Sequence, residues 1–81
     1  MSHNKKEIVA HAKNRIAEIK AKLYELETEK QELIMRMQNA TTPEQQNAIT
    51  QQMKDSERRF RELADESEML AMKIKELKGG I

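Results

Sequence analysis

The chain has 81 residues, 36% of them charged and 37% hydrophobic, with one tyrosine, one phenylalanine and no cysteine. Disulfides are therefore excluded, and a chain this short must draw its stability from metal, oligomerisation or very regular helix packing. Fifteen basic and fourteen acidic residues leave a formal charge of +1, so the overall balance points to no polyanionic partner.

Asn4, with Glu7 three residues on, is a helix start signal. Beyond it the apolar residues recur at alternating steps of three and four: Val9, Ala12, Ile16, Ile19, Leu23, Leu26, then Lys30, Leu33 and Met37. This spacing keeps one seam of a helix facing a partner helix, with Val9, Ile16, Leu23, Lys30 and Met37 at heptad position a and Ala12, Ile19, Leu26 and Leu33 at d. Only Lys30 breaks the apolar run.

The stretch NATTPEQQ follows, in which Thr42 fits a helix cap, Pro43 the first helical position, and Gln45 completes a Thr-x-x-Gln capping box. A second stripe then runs through Ile49, Met53, Ser56, Phe60, Leu63, Ser67, Leu70, Ile74 and Leu77, with Ile81 beyond the glycines. Lys75 and Lys78 ahead of Gly79 and Gly80 suit a carboxyl-terminal end. The predicted organisation is one all-α domain over residues 1–81, with helix 1 at about 4–39, a turn at about 40–42, helix 2 at about 43–78 and a tail at 79–81. So short a connection makes the helices antiparallel neighbours, which gives a coiled-coil hairpin.

Antiparallel pairing matches a of one helix with d of the other, and this selects a register. The preferred one layers Met37 with Ile49, Leu33 with Met53, Leu26 with Phe60, Leu23 with Leu63, Ile16 with Leu70, Ala12 with Ile74 and Val9 with Leu77. It sets Lys30 against Ser56, where a small hydroxyl leaves the ammonium a way to water. On the g flank it pairs Glu29 with Arg59 and Lys22 with Glu66, and sets Arg15 against Lys73. The competing register would place Ile16 opposite Leu63, Lys30 against Ile49 and Lys22 against Arg59, and is worse on charge and burial.

The sequence offers no chemistry. His3 and His11 have no partner at metal-ligand spacing, so no metal, cofactor or small-molecule substrate is expected. No serine, histidine and carboxylate are spaced so that a base would activate a nucleophile, and the chain reads as a non-enzyme. The carboxylates Glu25, Glu27, Glu29 and Glu32 are expected to be neutralised by Arg58, Arg59 and Arg61 rather than to bind a cation. No apolar run approaches the roughly 18 residues of a membrane span, and the amino-terminal segment lacks a signal-peptide apolar run, so the default expectation is a cytoplasmic protein.

Two surfaces remain as candidates. On the e flank Ile34 faces Thr50, Lys20 faces Ala64 and Lys13 faces Ala71, and the small residues let another helix approach. Ala17, Ala21 and Tyr24 form a weaker stripe off the seam. The open end of the hairpin is basic, with Lys5, Lys6, Lys13, Arg15, Lys20, Lys22, Lys73, Lys75 and Lys78 against Glu7, Glu18 and Glu76. The leading expectation is a protein–protein interaction module, an assembly, scaffold or chaperone-like hairpin that binds itself as a homodimer of four-helix-bundle character or binds another helical protein. The alternative is a small nucleic-acid-binding bundle that uses the basic end.

Overall fold

The computed structural model describes residues 4–79 and consists of two helices, α1 (Lys5–Asn39) and α2 (Pro43–Gly79), packed along their length in a hairpin measuring 60 × 22 × 15 Å. Each boundary has a local cause. The Asn4 side chain accepts a hydrogen bond from the Glu7 amide at 2.9 Å, which satisfies one of the orphan donors of the first turn of α1. At the other end the chain leaves α1 in an extended conformation at Ala40, whose amide donates to the Met37 carbonyl at 3.2 Å. Thr42 Oγ1 then accepts from the Gln45 amide at 3.1 Å and opens α2.

The capping box differs from its expected form in one bond. Gln45 Oε1 accepts from the amide of Thr41, at 3.0 Å, rather than from that of Thr42. Its carboxamide thereby ties down the connection as well as the helix end. None of the described residues has a left-handed backbone, so the turn between the helices is closed by caps and needs no glycine. At the far end α2 runs on through Gly79 in an ordinary helical conformation.

Burial follows a seven-residue step. The d residues of α1, Ala12, Ile19, Leu26 and Leu33, are buried, while the a residues Val9, Ile16, Leu23 and Met37 are half-buried and Lys30 is exposed. On α2 Ile49 and Ser56 are buried, Met53, Leu63, Ser67, Leu70, Ile74 and Leu77 are half-buried, and Phe60 is 39% exposed. The line of closest packing is thus displaced from the middle of the a/d seam towards d. On a helical wheel d borders g and a borders e, so the displacement closes the g flank and opens the e flank.

Charge accounts for that asymmetry. In the register that places Val9 and Leu77 in one recess and Leu26, Lys30, Ser56 and Phe60 in another, the e flank sets Lys6 level with Lys78 and Glu27 level with Glu57. Like charges at one height push that edge apart. Among the described residues two ion pairs cross between the helices, Arg15 with Glu66 and Glu29 with Arg59, and both lie on the g flank.

Candidate functional site

The structure divides the surface around the seam into a tied flank and an open one. On the tied flank Arg15 makes a two-pronged contact with Glu66, Nε to Oε2 at 2.7 Å and Nη2 to Oε1 at 3.0 Å, and its Nη1 donates to Glu18 Oε1 at 3.3 Å. This corrects the expected pairing. Lys22 turns to Glu25 on its own helix at 3.6 Å, and Glu66 goes to Arg15. The planar guanidinium donates through several N–H groups at once, so Arg15 reaches past Lys73 to a carboxylate and the like-charge meeting is avoided. The hydrogen bond from Arg15 holds the Glu66 carboxyl below its ordinary range, and Glu66 and Glu18 together raise the Arg15 guanidinium.

The second cross-helix pair, Arg59 Nη2 to Glu29 Oε1 at 3.6 Å, is the one the register calls for. The other arginines of the expected neutralising group behave differently. Arg58 is engaged within α2 by Asp55 at 3.7 Å and Glu62 at 3.8 Å, and Arg61 lines the cleft on the opposite flank. Among the described residues no cluster of histidine, aspartate or glutamate is arranged to hold a metal ion. His11 is exposed on the tied side, and His3 and Ile81 lie outside the described residues.

The open flank carries a cleft lined by Leu26, Glu27, Lys30, Met53, Ser56, Glu57, Phe60, Arg61 and Ala64. The heptad spacing places Phe60 inside the seam, whereas the structure leaves it partly exposed in the cleft lining. At this level the buried seam residues are the d residues Leu26 and Ser56, and the largest seam side chain, at a, is left partly in water. Lys30 and Ser56 do share this cleft, but unequally: Ser56 is 4% exposed while Lys30 is out in solvent. Every buried side-chain polar atom among the described residues has a partner.

Of the candidate interface residues, Ile34 and Ala64 are half-buried and Ala71 is exposed, all on this open flank. Among the described residues no ion pair crosses it. Ala17, Ala21 and Tyr24 are exposed, and Tyr24 lines a recess with Thr28, Glu32 and Arg59 on the tied side, so the second stripe does not join the cleft.

The basic residues of the open end are distributed rather than gathered. Lys5, Lys6, Lys13 and Lys78 surround a recess floored by Val9, Ala10 and Leu77, whereas Lys73 and Arg15 stand on the opposite flank beside Leu70. Lys20, Lys22 and Lys75 are exposed elsewhere on the helices, with Lys22 engaged by Glu25. None of the described helices is long and apolar enough to cross a membrane. Comparison with models of known protein families, with curated proteins and with solved structures gave no match.

Proposed function

We propose that the chain is a non-enzymatic interaction module, an assembly or scaffold hairpin that presents the e flank of its seam to a second helical surface and forms a homodimer of four-helix-bundle character. The observation that supports this reading is the inequality of the two flanks. One is drawn together by Arg15–Glu66 and Arg59–Glu29. The other exposes Phe60 above half-buried Met53 and Ala64, with Ala71 and Ile34 further along the same flank.

Core size gives the reading its energetic reason. Among the described residues only five apolar side chains are buried in the lone hairpin, Ala12, Ile19, Leu26, Leu33 and Ile49, and no disulfide restrains the unfolded chain. Docking on the open flank would bury the half-exposed a residues of both helices, at about 25 cal/mol for each Å² of apolar surface removed from water.

Sedimentation equilibrium from micromolar to hundreds of micromolar tests the reading. The parent should associate, and the double variant Ala64→Glu/Ala71→Glu should stay monomeric with its helix content unchanged, since neither position lies in the seam. A parent that remains monomeric throughout, with full helicity and cooperative melting, would refute self-association.

A further inference from the structure

We infer that the second copy lies antiparallel to the first across the open flank, related to it by a two-fold axis perpendicular to the helices at the level of Leu23 and Leu63. The inference rests on the self-association proposed above and goes beyond it in fixing which way round the copies dock.

The charges of the open flank are unevenly spread along its length. At its e positions Lys6, Lys13, Lys20 and Lys78 occupy the half nearer the chain ends, and Glu27 and Glu57 follow towards the turn, where Lys30 and Arg61 line the same cleft. None of the six e-position charges takes part in an ion pair within the described residues. A two-fold axis parallel to the helices would lay α1 of one copy over α2 of the other at equal height. Lys6 would then meet Lys78 again and Glu27 would meet Glu57, which adds to the like-charge crowding already present in each hairpin.

A perpendicular axis reverses the heights and lays α1 over α1 and α2 over α2. Lys20 and Glu27 are seven residues apart, about 10 Å along the helix. An axis midway between them brings each Lys20 level with the second copy's Glu27, twice over by symmetry, and close to its Glu57.

Phe60 and Ala64 point to the same axis independently. They are one turn apart on α2 in the open cleft, one large and 39% exposed, the other small and half-buried. A perpendicular two-fold between them seats each Phe60 ring over the second copy's Ala64, a large side chain against a small one. The midpoint of Phe60 and Ala64 on α2 and that of Lys20 and Glu27 on α1 fall at one height, because the register sets Leu23 level with Leu63. That height is also close to the middle of the hairpin, since α1 runs Lys5–Asn39 and α2 Pro43–Gly79. The copies therefore overlap over nearly their whole length.

The absence of cysteine makes the test direct. A nitroxide attached to His11→Cys sits on the exposed side away from the open flank, and the label-to-label distance in the dimer is read by double electron–electron resonance. The antiparallel arrangement gives about 40 Å, and a parallel one, which leaves only the separation across the dimer, gives about 30 Å. In sedimentation, Lys20→Glu should weaken the dimer about tenfold by turning two attractive pairs repulsive, and adding Glu27→Lys to the same chain should restore it. A dimer with the short distance, or a swap that fails to restore association, overturns the antiparallel docking while leaving the module reading in place. A chain that is monomeric at every concentration overturns both.

Discussion

Truncating Ile19 to alanine should cost the hairpin more than truncating Phe60, although phenylalanine is the larger side chain. Ile19 is 1% exposed and is the largest fully buried side chain, whereas Phe60 is 39% exposed at the rim of an open cleft. Ile19→Ala removes three carbons at about 0.8 kcal/mol each, about 2.4 kcal/mol of transfer free energy. The cavity left between the helices raises this to about 3 kcal/mol. Truncation of a fully enclosed phenylalanine costs about 3–5 kcal/mol, but a ring already in part in water, in a cleft that leaves no closed cavity behind, should cost only about 2 kcal/mol. For a domain of this size each kcal/mol shifts the melting temperature by about 4–8 °C, so the Ile19 variant should melt more than about 12 °C below the parent. Urea and thermal unfolding followed by far-ultraviolet circular dichroism, at concentrations below the dimer dissociation constant, compare the two variants directly. At high concentration the order should change for association, with Phe60→Ala weakening the dimer. A Phe60 variant that costs the dilute chain as much as the Ile19 variant would refute the displacement of the seam towards d, and with it the open flank.

The Arg15–Glu66 pair sets a pH dependence. The Glu66 carboxyl is held below its ordinary value of 4.5, chiefly by the hydrogen bond from Arg15, so its contribution is complete above that value and is lost as the pH falls through the lower folded-state value. Glu66→Gln should leave a chain whose stability declines less steeply on acidification below that point, and the difference should shrink in high salt because both side chains are exposed to solvent; identical acid limbs for parent and variant would show that the pair is not formed in solution. Lys30→Leu should raise stability by about 0.5–1 kcal/mol and tighten self-association, because it extends the apolar stripe of the open flank at a position now in water. A fall in stability on urea titration would mean that the lysine stem shields Ser56 and Phe60, and that its replacement disturbs their cleft.

Helix positions and topology were legible in the residues because the signals that specify them are local. Asn4 caps three residues ahead of itself, Thr42 and Gln45 do the same at the second start, and the steps of three and four from Val9 to Met37 and from Ile49 to Leu77 leave no other periodicity. A connection of three residues between such helices makes them antiparallel neighbours. The pairing of Glu29 with Arg59 was also readable, since it follows from the register alone.

Heptad letters treat a and d as equivalent and the two flanks as mirror images, so they could not say which flank of the seam would close. That depends on reach and on charges from both helices at the same height: Arg15 bypasses Lys73 to grip Glu66, Lys22 is drawn aside by Glu25, and like charges open the edge where Glu27 and Glu57 stand. The burial of Ile19 and the exposure of Phe60 follow from that imbalance. Periodicity along one helix thus gave the hairpin and its register. The open flank arose only in three dimensions, because the rotation of each helix about its own axis is set by pairwise electrostatics and packing between residues far apart in the chain, such as Arg15 and Glu66, 51 positions apart.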